Sequence, residues 1–292
     1  MRILCFGKDG LLSSELQKWL PELNPMALHF LSKNECDITD SDAVSSAFKD
    51  IRPTHVINAA AYTKVDQCEE ESALANAING YALQSIVQQC KAYNATLVHF
   101  STDYVFNGNK EGPYDETDPP LPLNKYGESK LLGEEFIRHD LVEHYILRVQ
   151  WVFGLAKKNF ISNIIEHAQT KPELKIINDQ FGTPTSTTSI SKAVVNLLLN
   201  APEYGTYHFR SLSQTTWYDY AKFFLSELNI RTPIIPVTSK AYKTSARRPQ
   251  NGVLNIAKWI YADLYTPPSW KVDVKNYLEK IKLISEEKNA IR

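Results

Sequence analysis

The chain opens on the stretch MRILCFGKDG, residues 1–10, in which an apolar run is followed at once by two glycines. Residues 2–6 predict a β-strand and the periodic apolar residues beyond the stretch predict a helix, so Gly7 and Gly10 lie in the turn between them. Such a turn lets the backbone approach a pyrophosphate, to which the helix N-terminus offers free N–H groups. Ser13 stands where a third glycine would complete the dinucleotide fingerprint, so a purely structural turn is the alternative.

Outward from this turn, strand and helix patterns alternate to about residue 150. Predicted strands cover residues 26–31, 55–58, 96–101 and 145–149. Predicted helices cover residues 41–51, 70–92 and 126–139. Strands that alternate with helices form right-handed βαβ units, so we expect an α/β fold with a Rossmann-type, doubly wound parallel sheet and a dinucleotide-binding domain over 1–150. Residues 151–292 are richer in proline and aromatic residues and predict a smaller C-terminal α/β substrate-binding lobe, interleaved with late elements of the sheet.

The composition fits a folded protein and excludes several classes of function. Hydrophobic residues make up 43% of the 292 residues and charged residues 22%, which supports a sizeable core. A net charge of −1 argues against a nucleic-acid partner. We expect no membrane partner, because no apolar run approaches the roughly 20 residues that span a bilayer, and we read no signal peptide. The four cysteines have neither CxxC nor metal-site spacing, so we predict free thiols in the cytoplasm and no metal.

The segment YGESK, residues 126–130, carries the clearest catalytic pattern. Its tyrosine and lysine are four residues apart and therefore lie on one helix face. A phenol, with an ordinary pKa of about 10, becomes an acid–base group near neutral pH when an ammonium and a positively charged nicotinamide favour its phenolate. Thr102 ends the preceding predicted strand at the sheet edge that faces ligands, so it could hydrogen-bond the carbonyl that Tyr126 protonates. An exposed pair of Tyr126 and Lys130 is the structural alternative.

Two further segments point to a flat nucleotide ligand. The small side chains of Ala59, Ala60 and Ala61 follow a predicted strand and leave room over the sheet, with close helix packing as the alternative. Asp37 and Ile38 end the segment after the second strand, where an Asp side chain could reach an adenine amino group. An ordinary acidic loop residue is the alternative for Asp37.

The end of the second predicted strand bears on the choice of cofactor. NAD specificity usually needs an acid there, to bind the ribose 2′-hydroxyl. Ser32 and Lys33 come first and could accept a 2′-phosphate, whereas the first carboxylate is Glu35. We therefore expect NADPH to be used at least as well as NADH.

Taken together, these residues resemble the extended short-chain dehydrogenase/reductase family. The resemblance covers nearly the whole chain, through the motifs FGKDGLLSSELQ, RPTHVINAAAYTKVDQCE, STDYVFNG, PLNKYGESKLLGE, RVQWVFG, INDQFGTPTS and ARRPQNGVLN. The STDYVF and NDQFGTPT motifs are specific to the branch of the dTDP-4-dehydrorhamnose reductases. The resemblance implies NAD(P)H-dependent reduction of the 4-keto group of a nucleotide-linked 6-deoxysugar, most closely dTDP-4-dehydro-L-rhamnose to dTDP-L-rhamnose, for cell-surface polysaccharides.

The resemblance also implies roles for single residues. Tyr126 matches the proton donor, Lys130 its partner and Thr102 the hydroxyl that polarises the carbonyl. The substrate contacts that it implies are Thr102, Asp103, Trp151, Arg247 and Arg248. The two arginines suit a diphosphate by charge and by their planar forks, with a surface pair as the alternative. The cofactor contacts that it implies are Gly10, Leu11, Leu12, Asp37, Ile38, Ala61, Tyr62, Thr63 and Phe100.

Other functions stay open at this point. Related dehydratases follow the Thr-Asp pair with a proton-abstracting glutamate, where this chain has Tyr104, and a sugar-nucleotide epimerase is a similar alternative. A non-catalytic NADP-binding subunit, like the regulatory subunit of methionine adenosyltransferase, shares the resemblance and works by association. Some family members dimerise through a metal held by three glutamates, of which Glu15 matches one, while Thr188 stands at a second position. We therefore expect a monomer or a weak homodimer that binds a nucleotide sugar.

Overall fold

The computed structural model of the chain describes residues 1–290, with side chains for residues 1–284, and has a parallel β-sheet at its centre. Strands β1 to β12 span, in chain order, Arg2–Phe6, Ala27–Leu31, His55–Asn58, Thr96–Thr102, His144–Val149, Val152–Phe153, Leu174–Ile177, Phe181–Gly182, Thr185–Ser186, Gly205–His208, Thr215–Thr216 and Ile234–Val237. Six of them form the central sheet in the order β10-β5-β4-β3-β1-β2, and every neighbouring pair is parallel. The strands predicted in the first half of the chain are present to within one residue of their expected bounds.

Helices cover both faces of this sheet. Helices α1 to α10 span, in chain order, Ser13–Trp19, Ser41–Ile51, Ser72–Asn76, Ala82–Tyr93, Lys125–Asp140, Phe160–Thr170, Thr187–Asn200, Trp217–Glu227, Ala257–Tyr261 and Trp270–Ala290. Successive residues of a strand point to opposite faces, so Ile3 and Cys5 enter one apolar cluster and Leu4 and Phe6 enter the other. Burial on both faces explains why the strands of a parallel sheet appear in the sequence as continuous apolar runs. No helix in the part of the chain that the structure describes is long and apolar enough to cross a membrane.

The chain reverses its direction of winding between β1 and β3. From β1 the chain moves outward to β2, and then returns to β3 on the other side of β1. In open parallel sheets, ligands bind at the carboxyl ends of the strands beside such a switch point. Gly7 follows β1 and Ala59 follows β3, so the two segments singled out in the sequence meet at this edge.

Helix α5, which carries the YGESK segment, is fixed at its start by a side-chain cap. The Asn124 side-chain oxygen accepts a hydrogen bond from the Gly127 N–H at 2.8 Å, which satisfies a donor that a helix end leaves open. A Cβ on Gly127 would lie 2.2 Å from the Tyr104 carbonyl oxygen, so only glycine allows this close approach. The cap and the contact together hold the first turn of α5 against the segment that follows β4.

The predicted helix over residues 70–92 is divided into three parts. A π-helical turn over Ala77–Tyr81 lies between α3 and α4. Within it, the Asn79 side chain accepts from the Tyr62 N–H at 2.8 Å and donates to the Tyr62 carbonyl at 3.0 Å. The Asn79 side chain also donates to the Ser129 hydroxyl of α5 at 2.9 Å. The extra residue of the π turn thus directs a polar side chain inward, where it joins the segment after β3 to α5.

The second half of the chain contributes to both parts of the molecule. Helix α7 packs in the same apolar cluster as β1 and β4, and β10 extends the central sheet beside β5. The remaining short strands pair outside the sheet as β6 with β9, β7 with β12, and β8 with β11. Helices α6, α8 and α10 surround them with a separate core that is rich in aromatic side chains. The strands of these three pairs have only two to four residues each.

Candidate active site

The turn after β1 is shaped by a contact with the segment after β3. Gly7 has a φ of +88°, and a Cβ there would lie 2.7 Å from the Ala60 nitrogen. The Gly10 N–H closes the turn by donating to the Gly7 carbonyl at 2.8 Å. The glycine at position 7 is therefore required both by its backbone angle and by the approach of the neighbouring segment.

A cavity of about 320 Å³ opens beside this turn. Its wall includes nine of the residues predicted to bind the cofactor: Gly7, Gly10, Lys33, Asp37, Ile38, Ala59, Ala60, Ala61 and Tyr62. Four further wall residues carried no recognisable signal in the sequence: Asp9, Cys36, Ile78 and Lys157. Five of the thirteen wall residues are glycines or alanines, whose small side chains leave the backbone accessible. Such a surface allows a flat, extended ligand to lie close to the ends of the strands.

The residues after β2 form a compact polar cluster around Glu35. The Glu35 carboxylate accepts from the Ser32 hydroxyl at 2.6 Å and from the Ser32 N–H at 2.8 Å. Lys8 lies 3.3 Å from the same carboxylate. The bonds from Ser32, with Lys8 in support, lower the pKa of Glu35 to about 2. The end of β2 therefore does carry an ionised acid, and it holds the serine that the sequence suggested for a 2′-phosphate.

The catalytic residues predicted from the sequence meet at the carboxyl end of β4. Thr102 ends that strand, and its hydroxyl donates to Asp103 Oδ1 at 3.2 Å. The Thr102 side chain is also hydrogen-bonded with Tyr126, whose ring packs edge-on against Tyr104 with centroids 5.9 Å apart. Lys130 follows one turn later on α5 and is buried. The structure thus brings Thr102, Tyr126 and Asp103 together beneath one sheet edge.

Burial controls the protonation of this group. Burial, reinforced by the Asp103 carboxyl, raises the pKa of Tyr126 above its ordinary value, against a lowering by the Thr102 hydrogen bond. Burial also raises the pKa of Asp103 to about 7, and its Oδ2 has no hydrogen-bond partner among the described residues. Burial lowers the pKa of Lys130 to about 8, with Glu134 acting in the opposite direction. Tyr126 is therefore a neutral phenol near pH 7, which is the form that can give up a proton.

Trp151, a residue predicted to contact the substrate, lies among aromatic side chains. Trp151 has a φ of +44° and stacks on Trp217, with ring centroids 3.6 Å apart. A Cβ on Gly182 would lie 2.4 Å from Cε2 of the Trp151 indole, so the ring is packed closely against β8. Phe160 adds a third ring, 4.5 Å from that of Trp217. Trp151 thus belongs to an aromatic stack, which supports its position from behind.

The two predicted diphosphate residues differ in their surroundings. The Arg248 guanidinium binds Asp66 through two hydrogen bonds, of 2.6 and 3.2 Å. Arg247 is exposed, and its side chain makes no hydrogen bond or ion pair within the described part of the chain. Its backbone carbonyl accepts from the Asn124 side chain at 2.7 Å, which ties this segment to the start of α5. Arg247 therefore has the freer charge of the two.

Comparison with known proteins gives the family. Residues 1–283 match the family described as RmlD substrate binding domain. The chain belongs to the RmlD family. It is 38% identical to the dTDP-4-dehydrorhamnose reductase of Escherichia coli K12 over 295 residues, which cover 96% of this chain and 98% of that protein.

Solved structures of RmlD proteins have the same fold. The dTDP-4-dehydrorhamnose reductase of Bacillus anthracis, in complex with NADP, superposes with a TM-score of 0.91 at 31% identity and covers 96% of this chain and 99% of its own. The ortholog from Clostridium acetobutylicum has a TM-score of 0.93 at 33% identity and covers 97% and 100%. These matches confirm the resemblance drawn from the sequence and the predicted Rossmann-type sheet.

Several residues expected to bind the cofactor lie outside the wall of the 320 Å³ cavity in this RmlD chain. Leu11 and Leu12 lie in the turn before α1, and Thr63 follows Tyr62 on the segment after β3. Phe100 is buried in β4 within the apolar cluster on one face of the sheet. The remaining ones are Ser32, Tyr126 and Lys130. They extend the candidate site from the cavity toward β4 and α5.

Two polar residues of the RmlD site were not predicted from the sequence. Asn58 and His99 are buried in adjacent strands, and His99 Nε2 lies 3.0 Å from Lys130 Nζ. Their only sequence signal is a polar residue inside an otherwise apolar strand. The Glu15 side chain binds Lys18, Trp19 and Thr188. Across residues 1–284 no group of three or more His, Cys, Asp or Glu side chains could hold a metal ion.

Proposed function

We propose that this chain is an NAD(P)H-dependent oxidoreductase that reduces the 4-keto group of a nucleotide-linked 6-deoxysugar, converting dTDP-4-dehydro-L-rhamnose to dTDP-L-rhamnose. The observation that carries the proposal is the neutral Tyr126 phenol beside the Thr102 hydroxyl, at the sheet edge next to the dinucleotide cavity. Ketone reduction needs a proton donor at that point. Membership of the RmlD family and the names of its curated relatives support the same reaction.

The proposed roles follow from the positions of the residues. Tyr126 gives its proton to the carbonyl oxygen, while the Thr102 hydroxyl hydrogen-bonds that oxygen and Lys130 orients the ribose. The bound nicotinamide supplies the hydride. Trp151 packs against the apolar face of the deoxysugar, and Asp103 contacts its polar groups. Arg247 attracts the diphosphate of the nucleotide sugar, next to Arg248, which is hydrogen-bonded to Asp66.

NADPH is the proposed cofactor, with NADH as a usable substitute. The Bacillus anthracis relative was solved with NADP, which supports the phosphorylated form. Lys8 and Lys33 flank the end of β2, where the ribose 2′ position would lie, and both carry positive charge. The proposed cofactor contacts are the predicted ones: Gly7, Gly10, Leu11, Leu12, Ser32, Lys33, Asp37, Ile38, Ala59, Ala60, Ala61, Tyr62, Thr63, Phe100, Tyr126 and Lys130.

We further propose a division of labour along the chain and a setting for it. Residues 1–150 bind the dinucleotide and 151–292 mainly bind the sugar. Four free cysteines support the cytoplasm as the compartment, since thiols persist in reducing surroundings. A monomer or weak homodimer remains the proposed state, because Thr188 stands in place of a second carboxylate ligand and binds Glu15.

An assay of cofactor oxidation tests the reaction. The protein is mixed with NADPH and each of several nucleotide 4-keto-6-deoxysugars, and the loss of reduced nicotinamide is followed by absorbance while the sugar product is identified. We expect turnover with the dTDP-linked ketosugar and the 4-hydroxy product. A sugar product without net cofactor oxidation would indicate an epimerase or dehydratase. A stoichiometric protein partner, with no turnover of any ketosugar, would indicate a regulatory subunit.

A further inference from the structure

A line of buried hydrogen bonds connects the floor of the dinucleotide cavity with Lys130. The Ala60 N–H, in the cavity wall, donates to Asn58 Oδ1 at 3.1 Å. Asn58 Nδ2 lies 3.2 Å from His99 Nδ1, and His99 Nε2 lies 3.0 Å from Lys130 Nζ. Asn58, His99 and Lys130 are each at most 2% exposed, so water does not compete for the bonds among these three side chains.

The direction of each hydrogen bond in this line is determined from its first member. A backbone N–H can only donate, so the Asn58 oxygen faces Ala60 and its NH₂ group faces His99. His99 Nδ1 must then accept, which places the proton of a neutral imidazole on Nε2. That N–H points at Lys130 Nζ, which can accept it only through the lone pair of an uncharged amine.

We propose that His99, oriented by Asn58, is a positioning residue that holds Lys130 as a neutral amine in the cofactor-free protein. The inference rests on the proposed function, in which Lys130 is part of the reductase site. A neutral amine does not favour the phenolate of Tyr126, so the phenol keeps the proton that ketone reduction consumes. The remaining N–H groups of the amine have no other partner among the described residues and stay available for a bound cofactor.

The charged neighbours of Lys130 do not restore its charge. Glu134, one turn further along α5, accepts two hydrogen bonds from Arg148 of β5 at 2.9 and 2.6 Å and one from Arg138 at 2.7 Å. Burial lowers the pKa of His144 on β5 and holds the pKa of His99 well below its ordinary value, so both imidazoles are neutral. On the opposite side, burial raises the pKa values of Asp103, Tyr104 and Tyr126. Burial also lowers the pKa of Lys130 itself to about 8, a shift in the direction that favours the neutral amine.

The tautomer of His99 is the first test, and it needs no activity. Nitrogen-15 spectra of the cofactor-free protein at about pH 8 distinguish imidazoles protonated on Nε2 from those protonated on Nδ1. The signals of His99 are assigned by their absence in His99→Gln. We expect the proton on Nε2 and a bare Nδ1. A proton on Nδ1 would overturn the proposal, whereas failure of the ketosugar assay alone would overturn only the proposed reaction.

Asn58→Asp is the second test, because a carboxylate accepts from both sides. The carboxylate keeps the hydrogen bond from the Ala60 N–H and can also accept a hydrogen bond from a protonated His99 Nδ1. The His99 Nε2 atom of that tautomer carries no proton, so it can accept a hydrogen bond from a Lys130 ammonium. With ¹³C-labelled lysine, assigned through Lys130→Met, we expect the Lys130 titration midpoint to rise by at least one pH unit. His144→Gln removes another buried imidazole of the sheet and should leave both signals in place. A His99 Nδ1 that stays bare in Asn58→Asp would contradict the proposal, and the wild-type spectrum decides on its own if that variant does not fold.

Discussion

The two sides of the candidate site are built from different materials. On the dinucleotide side, five of the thirteen wall residues are glycines or alanines, and Gly7 approaches Ala60 so closely that a Cβ would lie 2.7 Å from its nitrogen. The proposed sugar side contains the aromatic stack of Trp151 and Trp217, which packs against Gly182. The shape of the dinucleotide side is therefore determined by the backbone, whereas the shape of the sugar side is determined by how large side chains pack.

This difference teaches where each kind of change should act. The dinucleotide cofactor is the same whichever sugar is reduced, so a rigid surface of backbone atoms suits it. A sugar pocket made of side chains can be altered by repacking without moving a strand. Of the two binding steps, changes on the dinucleotide side should therefore affect only cofactor binding. Changes in the aromatic stack should affect only sugar binding. Tyr126 lies between the two sides, and loss of its hydroxyl should affect the chemical step far more than either binding step.

Tyr126→Phe should have the largest effect. Removing the proton donor should lower kcat by about 100- to 10,000-fold, while the affinity for NADPH and the melting temperature stay close to those of the wild type. Steady-state kinetics beside a cofactor titration would measure both. Tyr104→Phe removes the neighbouring phenol, 5.9 Å away between ring centroids, and should change kcat far less. A loss of less than about 10-fold in Tyr126→Phe would remove this residue from the mechanism.

Gly7→Ala should break the dinucleotide side. The left-handed backbone angle and the overlap with Ala60 should together lower the free energy of unfolding by about 2–4 kcal/mol and weaken NADPH binding. Gly112→Ala is a matched control, since Gly112 has a φ of +86° and nothing within 4 Å of the added Cβ. The difference between the two variants in denaturant unfolding isolates the overlap. Equal losses would show that the contact with Ala60 has no energetic weight.

Gly182→Ala should act on the sugar side alone. The added methyl must displace the Trp151 indole, which we expect to cost about 1–3 kcal/mol of stability and to raise KM for the ketosugar. The dissociation constant of NADPH, measured by titration, should not change. Gly154→Ala, whose added Cβ would meet Thr187 at 2.3 Å instead, should lower stability without raising that KM. A raised KM in both variants would mean that general loosening of the lobe, and not Trp151, is responsible.

Glu35→Gln should have the smallest effect and should sharpen the comparison within the dinucleotide side. Removing the carboxylate frees Lys8 and Ser32 and takes away a negative charge near the expected 2′-phosphate. We expect the ratio of kcat/KM for NADPH over NADH to rise by about 3- to 10-fold, or roughly 1 kcal/mol. Glu22→Gln, at an exposed acid that precedes β2 and so does not lie at its carboxyl end, should leave the ratio unchanged. A shift toward NADH would place the 2′ position elsewhere.

The same contrast explains what could be predicted from the sequence. The strands of the sheet and the residues that end them follow from local patterns, because burial on both faces and glycine at a tight turn leave marks within a few residues. Most of the cavity residues that were predicted lie in or near such segments, whereas Tyr62 was predicted only through the family resemblance. The catalytic pattern of the YGESK segment could be predicted for the same reason, because its tyrosine and lysine are spaced by about one helical turn.

What could not be predicted depends on contacts between distant parts of the chain. The partner of Trp151 is Trp217, and the partner of Lys130 is His99 on another element. The π turn around Asn79 follows from bonds to Tyr62 and Ser129, not from any local propensity. Glu35 was passed over because the expected position of an acid was taken from residue spacing, whereas the turn after β2 brings it back to Ser32.

The return of α7 and β10 to the central sheet limits how parts of this fold can be exchanged. Helix α7 covers one face of the sheet and β10 covers the edge of β5, although both belong to the half of the chain that carries the aromatic stack. A fragment ending at residue 150 would leave the edge of β5 unpaired, which invites pairing with another chain. A hybrid that takes its sugar lobe from one relative and its cofactor domain from another must therefore keep residues 187–208 with the sheet. The part of the chain that completes the sheet is therefore discontinuous in sequence with the part that begins it.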